Sequence, residues 1–188
     1  MINERKDGLT LRVLGNSKSE AEIVYKLRFN ESDLHFFSDT VAPSFENHFD
    51  WLTGEIGSGR STYLIAEHMD TAESVGFVRF ENARGSANWV SSFEILGEVR
   101  LVSFAVRSDL RGRGLGTAMI KLATDKFLEI EKSAPVTLLT WAIPSNLASW
   151  KCFIKNGWEK KLIEGFREVV IYSPERSLWP IADEAVIG

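Results

Sequence analysis

Hydrophobic residues recur at two spacings along the first half of the chain, and these spacings predict strands and helices. Every second residue is apolar in Leu9–Leu14, which predicts a first strand. Ser19–Phe29 and Ser44–Ile56 carry apolar residues at helical spacing, and each begins with a serine that can cap a helix. Two more strands are predicted at Thr62–Ala66 and Val75–Phe80.

The second half contains one strand, Val99–Val106, that is apolar almost throughout, which predicts burial on both faces. The stretch before it, Glu81–Gly97, is compatible with a long hairpin or with a loop that holds one short strand. The elements predicted after it are a helix to about Ile130, a strand at Val136–Ala142, a helix at Asn146–Lys155, and a hairpin of Trp158–Glu164 and Phe166–Tyr172 around Gly165. Without an internal repeat or linker, residues 1–188 are predicted to form a single α/β domain.

Composition and charge exclude several classes of function. The net charge of −4 disfavours recruitment of nucleic acid or anionic lipid by an overall positive field. The single cysteine, Cys152, excludes an intramolecular disulfide and a cysteine-rich metal site, and no metal is expected. No apolar run has the length of a signal-peptide core or approaches the ~18 residues of a membrane span. A cytoplasmic protein without nucleic acid or membrane partners is the expectation.

The segment Arg107–Thr117 is the most informative part of the sequence. It joins the apolar strand to an amphipathic helix and contains Gly112, Gly114 and Gly116. Glycines permit a tight turn with close ligand approach, and the unpaired N–H groups at a helix start attract anions. Three arginines against one aspartate give the segment a local charge of +2. The segment is therefore predicted to bind a polyanion, although surface arginines on a structural turn are the alternative interpretation.

Pattern comparison narrows the choice of polyanion. The P-loop pattern fails for want of its lysine, and G-x-G-x-x-G fails because Thr117 or Met119 stands at the third glycine position. Arg111–Gly116 instead fits [RQ]-x-x-G-x-[GA], and Asn146–Trp158 fits N-x-x-[AS]-x-x-x-[YF]-x-x-x-G-[FW]. In both blocks the chain resembles the GNAT superfamily of acyl-CoA N-acyltransferases.

The resemblance implies a GNAT-like fold, with a mixed, mostly antiparallel sheet of about seven strands and about four flanking helices. It implies that an amine attacks acetyl-CoA directly, through a tetrahedral intermediate, with the carbonyl polarised by a backbone N–H near Phe104. Pantetheine is expected along the strand, the pyrophosphate at the loop amides, and Asn146 near the pantetheine. The residues thereby expected to bind the cofactor are Phe104, Ala105, Val106, Arg111, Gly112, Arg113, Gly114, Leu115, Gly116, Thr117, Asn146, Ser149 and Phe153.

Proton transfer is marked less clearly than cofactor binding. Many family members have a tyrosine acid where this chain has Phe153, so that role does not carry over. Glu98 and Arg100 are two residues apart and therefore lie on one face of the central strand. Glu98 is the candidate base and would act through water. The other interpretation is that Glu98 is simply a charged residue at an exposed strand start. His35 and His48 are alternative bases, or partly buried histidines. The remaining candidates for an acid are Ser149, Cys152 and Tyr172.

A finer resemblance concerns the acceptor. Ser44–Trp51, Val75–Phe80 and the phenylalanine of the second block are similar to one branch of the superfamily, the amino-sugar N-acetyltransferases of nucleotide-sugar pathways. A nucleotide-linked amino sugar is therefore the expected acceptor, with Arg79 or Arg100 near its diphosphate. The aromatic residues that are candidates for stacking on it are Trp51, Trp89, Phe93 and Trp141.

Two other functions stay open from the sequence. One is N-terminal acetylation of a ribosomal protein or peptide, which an acidic chain suits because such acceptors are basic. The other is a non-catalytic acyl-CoA-binding module, in which Phe153 would need no hydroxyl. A homodimer is compatible with either function.

Overall fold

The computed structural model describes residues 8–30, 34, 41–83, 98–131, 136–143, 145–162 and 168–172. The helices are α1 (Lys18–Arg28), α2 (Phe45–Gly57), α3 (Leu115–Ile130) and α4 (Leu147–Ile154), and a short 3₁₀ turn spans Ser108–Leu110. The strands are β1 (Leu9–Val13), β2 (Ser61–His68), β3 (Ser74–Asn82), β4 (Glu98–Val106), β5 (Val136–Thr140), β6 (Glu159–Leu162) and β7 (Glu168–Tyr172). Residues 84–97, whose structure the sequence left open, and the predicted turn at Gly165 lie outside the described residues.

The described strands form a seven-stranded sheet in the order β1-β2-β3-β4-β5-β7-β6. Strands β4 and β5 run parallel, and the other neighbouring pairs are antiparallel. A parallel pair needs a crossover, and α3 supplies it. The predicted α+β fold with a mixed, mostly antiparallel sheet and four helices is confirmed for the described part of the chain. No helix within that part is both long and apolar enough to cross a membrane.

Helix α3 packs against one face of the sheet. Its Met119 and Phe127 are fully buried, and the Phe127 ring stacks on Phe80 of β3 with the ring centroids 4.0 Å apart. Position 76 of β3 has no room for a side chain and therefore requires glycine. A Cβ there would lie 2.2 Å from the Ala105 carbonyl oxygen of β4 and 2.6 Å from Met119 Cε of α3. This packing holds the start of α3 next to the end of β4, where the predicted anion-binding segment lies.

Helices α1 and α2 pack against the opposite face, and serines cap both. The Ser44 hydroxyl accepts the Asn47 backbone N–H at 3.2 Å, which confirms the predicted cap of α2. For α1 the prediction of Ser19 was wrong: Ser17 caps the helix by accepting the Glu20 N–H at 3.3 Å. Ser19 already lies in the first helical turn, where its backbone is helical and cannot serve as a cap.

His48 lies between these two helices in an aromatic cluster and is only 2% exposed. Its ring centroid lies 5.3 Å from that of Tyr25, 5.2 Å from Phe29 and 5.7 Å from Trp51. Burial, and secondarily the charge of Arg28, lower the pKa of His48 from 6.5 to about 4. The imidazole is therefore neutral at neutral pH and belongs to the packing between α1 and α2.

We expect mild acid to destabilise the protein through His48. Between pH 6.5 and about 4 the unfolded imidazole binds a proton that the folded one does not, so the stability present above pH 6.5 is lost as the pH falls. The free energy of unfolding should fall by about 2 kcal/mol at about pH 4.5 through this residue. Urea unfolding of the wild type and of His48→Phe at about pH 7 and about pH 4.5 tests this. Equal losses in both proteins would contradict it.

Candidate active site

Strands β4 and β5 separate partway along their length. Their pairing extends from Glu98–Val136 to Leu101–Leu139, whereas β4 continues to Val106. From Val102 onward, the β5-facing side of β4 has no partner in the described register. Backbone N–H and C=O groups need partners, so this side is able to pair with an extended ligand.

A cavity of about 900 Å³ opens at this separation. It is lined by successive residues of β4, including Ser103, Phe104 and Ala105, whose side chains point to alternate faces of the sheet. The cavity therefore passes between the two strands and reaches both faces. The prediction that this apolar strand is buried on both faces was wrong for Leu101, Ser103 and Phe104, which are half-buried and border the cavity. Ala105 and Val106, at the end of the strand, are buried.

The turn from β4 into α3 depends on two glycines in the left-handed region, Gly112 (φ 76°) and Gly114 (φ 83°). Gly114 is the N-cap of α3, and no side chain caps that helix start. At both glycines a Cβ would meet no described atom within 4 Å, so the space next to the backbone is open. The N–H groups of the first turn of α3 are thus exposed to an anionic ligand.

Gly116 serves packing instead. A Cβ at this position would lie 3.0 Å from Cys152 Sγ and 3.2 Å from Phe104 Cε2. The absence of a side chain therefore lets the first turn of α3 approach both β4 and α4. This approach brings the anion-binding turn next to the opening between β4 and β5.

The arginines of the segment contribute positive charge and also make contacts that hold the turn in shape. Arg111 lines the cavity and donates from Nε and Nη2 to the Val106 carbonyl, at 3.1 and 3.0 Å. Arg107 pairs with Asp109 at 2.8 Å, and Arg113 donates to the Asp109 carbonyl at 3.2 Å. A polyanion at this turn would consequently be bound above all by backbone N–H groups, which these side chains hold in place.

The structure brings most of the predicted cofactor residues together. Arg113 is the exception: its hydrogen bond to Asp109 directs it along the turn, and it is not among the residues that line the cavity. The predicted residues that line the cavity are Phe104, Ala105, Val106, Arg111, Gly112, Gly114, Leu115, Gly116, Thr117, Asn146, Ser149 and Phe153.

Comparison with known proteins agrees with this geometry. Residues 25–158 match the model of the acetyltransferase (GNAT) family, a range that contains β4, the glycine turn, α3 and α4. The chain belongs to the GNAT acetyltransferase family. As in that family, it is an acyl-CoA-dependent N-acyltransferase with acetyl-CoA as co-substrate. No curated protein matches the chain.

Solved GNAT structures share the fold at low sequence identity. A structure of the aminoglycoside acetyltransferase AAC(6')-Ib with paromomycin and acetyl-CoA is 21% identical, with a TM-score of 0.70, and the match covers 91% of this chain and 95% of that one. Spermidine N-acetyltransferase from Vibrio cholerae, solved with CoA and spermine, is 16% identical, with a TM-score of 0.66 and coverage of 88% and 94%. Ribosomal-protein-S5-alanine acetyltransferase from Vibrio fischeri is 14% identical, with a TM-score of 0.62 and coverage of 93% and 97%.

Two asparagines connect helix α4 to the cavity and to the start of α3. Asn146 Oδ1 accepts the Ser149 N–H at 3.1 Å, so Asn146 caps α4 while it lines the cavity. Asn156 Nδ2 donates to the Thr117 carbonyl at 2.9 Å and to the Cys152 carbonyl at 2.8 Å, which ties the end of α4 to the start of α3. Asn156 was not among the predicted site residues, because the pattern of the second block leaves its position unspecified.

Phe153 is the residue that, by the sequence resemblance, replaces the tyrosine acid of many family members. Its side chain is 2% exposed and contacts Phe104 edge to face, with the ring centroids 5.5 Å apart. Of the other candidates for an acid, Ser149 and Cys152 line the cavity, and burial raises the pKa of the Cys152 thiol. The side chain of Tyr172, like the whole of His35, lies outside the described residues.

The structure does not bring Glu98 into the cavity. Glu98 stands at the start of β4, before the strands separate, and its carboxylate pairs with Arg100 at 3.1 Å. Arg100 in turn lies 3.7 Å from Glu131, at the far end of α3. Neither Glu98, the expected base, nor Arg100, one of the expected diphosphate contacts, is among the residues that line the cavity.

Charged residues line the cavity on the α1–α2 face of the sheet, which is the side on which the acceptor is expected. Arg28 from α1 and Arg79 and Glu81 from β3 line it. Trp51 lies next to them, with the Arg79 guanidinium 5.0 Å and the Arg28 guanidinium 5.9 Å from its ring centroid. Among the other predicted stacking residues, Trp141 lines the cavity, and Trp89 and Phe93 lie outside the described residues. The sequence analysis missed Glu81, which follows directly after the block Val75–Phe80.

Proposed function

We propose that this GNAT acetyltransferase transfers the acetyl group of acetyl-CoA to the primary amine of a nucleotide-linked amino sugar. The observation that carries the proposal is the charge of the cavity, which is positive although the whole chain carries a net charge of −4. Within the described lining, the only acidic residue is Glu81, and the basic residues are Arg28, Arg79, Arg111, Lys151 and Lys155.

This charge favours an acceptor that carries phosphate. Polycations such as spermine are attracted by clusters of carboxylates, whereas the one carboxylate of the described acceptor side, Glu81, is paired with Arg79, and Arg28 lines the same side. Arg28 can contact one phosphate of a sugar nucleotide, while the basic residues near α4 remain for CoA. We therefore expect this chain to share the fold of the aminoglycoside and spermidine enzymes but to prefer a different acceptor.

Trp51 supports the same acceptor. Its side chain is 40% exposed, unusual for a tryptophan, and two guanidiniums hold the ring in position. An exposed indole held next to two arginines that line the cavity is suited to stacking on a nucleotide base. The nucleotide would then lie outside the sugar, whose amine points toward β4.

The chemistry follows from the separation of β4 and β5. The acceptor nitrogen attacks the thioester carbonyl carbon, while a backbone N–H of the strand around Phe104–Val106 stabilises the developing negative charge on oxygen. The C–N bond forms, the C–S bond breaks, and the sulfur leaves as a thiolate. A thiol pKa of about 8.5 makes this departure feasible without a tyrosine acid, in agreement with Phe153 at that position.

A thiol-release assay with acetyl-CoA tests the proposed acceptor. The panel contains nucleotide-linked amino sugars, the same sugars without the nucleotide, spermidine, aminoglycosides and N-terminal peptides. We expect the highest kcat/KM with a nucleotide-linked sugar, and mass spectrometry should show one added acetyl group on its nitrogen. A preference for peptides would favour N-terminal acetylation, and tight CoA binding without turnover of any amine would favour a non-catalytic module.

We expect Trp51→Ala to raise KM for the nucleotide-linked sugar about 10-fold, because stacking of a base on an aromatic ring contributes about 1–3 kcal/mol. Trp51→Phe is the matched control and should keep most of the affinity, since it retains a ring. The sugar without its nucleotide should be used equally by all three proteins. An equal loss for both acceptors would show that Trp51 supports the fold and does not bind the base.

A further inference from the structure

A network of ion pairs connects the hydrophobic core between the sheet and helices α1 and α2 to the acceptor side of the cavity. Arg79 is its centre, and it uses all three of its nitrogens. Nη2 contacts Glu55 Oε2 at 2.9 Å, Nε donates to Ser61 Oγ at 3.0 Å, and Nη1 contacts Glu81 Oε2 at 3.1 Å. The guanidinium thus joins a carboxylate in the core to a carboxylate at the cavity.

Exposure increases along this network. The Glu55 side chain is 5% exposed, Arg79 is 9% exposed, and Glu81 is 22% exposed. Glu55 is satisfied on both oxygens, because Arg60 contacts Oε1 at 2.9 Å and the Ser61 hydroxyl donates to Oε2 at 2.8 Å. Glu55 therefore fixes Arg79, and Arg79 fixes Glu81 in an orientation that the cavity can reach.

The strand register places Glu81 near the reacting atoms. Glu81 pairs with Leu101 of β4, and Arg79 pairs with Ser103. Directly paired residues share a face, so Glu81 and Ser103 lie diagonally on one face, within the reach of long side chains. Pairing of β4 with β5 ends at Leu101, and the backbone expected to polarise the thioester begins directly after it. Glu81 thus stands beside the point where the strands separate.

We propose that Glu81 is the general base of the acetyl transfer, and that Arg79 and Glu55 are positioning residues for it. The acceptor arrives as an ammonium ion, and its proton passes to the Glu81 carboxylate directly or through one water. The nitrogen lone pair then forms the C–N bond, the C–S electron pair leaves with the CoA sulfur as a thiolate, and the nitrogen releases its second proton to that thiolate. The proposal rests on the acetyl transfer of the proposed function and requires an amine acceptor, but not a particular one.

Two competing bases are placed differently. The Glu98 carboxylate pairs with Arg100 before the strands separate and does not line the cavity. His48 is enclosed by aromatic rings and does not line the cavity either. Among the described lining residues, Glu81 is the one with a carboxylate or an imidazole.

The test compares Glu81→Gln with the wild type in steady-state kinetics over a range of pH. At neutral pH we expect kcat/KM to fall about 100-fold, the lower range for loss of a positioned base, while the Kd for CoA measured by calorimetry stays unchanged. The deficit should shrink as the pH rises, because a larger share of the acceptor is already deprotonated. Glu81→Asp should restore part of the rate. The control is Glu22→Gln, which removes an exposed carboxylate of α1 that pairs with Lys26 on the surface.

Arg79→Lys tests the positioning role. The lysine keeps one charge but cannot contact Glu55, Ser61 and Glu81 together, so kcat should fall about 10-fold with little change in KM for acetyl-CoA. If the wild type is active and Glu81→Gln has the same rate and the same pH profile, the role of Glu81 is overturned and the proposed function stands. Loss of activity in Glu98→Gln but not in Glu81→Gln would also overturn it. Failure of the wild type to acetylate any amine would overturn both proposals.

Discussion

We expect Gly114→Glu to weaken CoA binding by at least about 100-fold. Gly114 has a φ of 83°, in a region that residues with a Cβ rarely adopt, and it is the N-cap of α3. A glutamate there strains the turn, fills the open space next to its N–H groups and places a negative charge where the pyrophosphate should lie. Isothermal titration calorimetry with CoA measures the change.

Gly59→Glu is a matched control for this substitution. Gly59 also has a left-handed φ, of 70°, with no described atom within 4 Å of a Cβ position, but it does not line the cavity. Gly59→Glu should therefore show the same kind of backbone strain without loss of CoA affinity. Gly114→Ala separates strain from charge and should fall between the two. Wild-type CoA affinity in Gly114→Glu would show that the turn does not hold the pyrophosphate.

We expect Arg79→Met to lower the free energy of unfolding by about 3 kcal/mol. The guanidinium is 9% exposed and contacts Glu55, whose side chain is 5% exposed. Removing it leaves the charge of Glu55 to the more exposed Arg60 and to Ser61, and an undercompensated buried carboxylate is costly. Equilibrium unfolding in urea, monitored by tryptophan fluorescence, measures the loss.

Arg12→Met provides the comparison. Arg12 also contacts two carboxylates, those of Glu20 and Glu67, but its side chain is 35% exposed. Ion pairs of that exposure contribute about 0–1 kcal/mol, so Arg12→Met should be mild. The double variant Glu55→Leu/Arg79→Met should be more stable than Arg79→Met, because it removes the buried charge as well. Equal losses for Arg12→Met and Arg79→Met would contradict a special role of the buried network.

The sequence predicted the glycine turn and the start of α3 because their determinants are local. Gly112 and Gly114 are needed where the chain turns between a strand and a helix, and both the turn and the helix start are encoded within a few residues. The alternation of strands and helices likewise predicted the mixed sheet. The apolar character of Val99–Val106 predicted too much burial for this strand. Apolar residues that face a cavity are chemically the same as apolar residues that face the core, so the sequence does not distinguish them.

The residue proposed as the base could not be predicted from the sequence in the same way. Glu98 and Glu81 are both glutamates at a strand end, and the sequence near each gives little reason to prefer one. The choice depends on the register of β3 against β4 and on the residue at which β5 diverges, and neither is encoded locally. The partners of Arg79 likewise come from α2, β2 and β3, which only the folded sheet brings together.

A crystal structure of the protein with CoA would show directly whether the cofactor lies between β4 and β5. We expect pyrophosphate density within hydrogen-bonding distance of the backbone N–H groups of residues 112–117. We also expect pantetheine between β4 and β5, paired with the backbone beyond Leu101 and ending next to Phe104. CoA bound at any other surface, with this cavity empty, would overturn the assignment of the cofactor site.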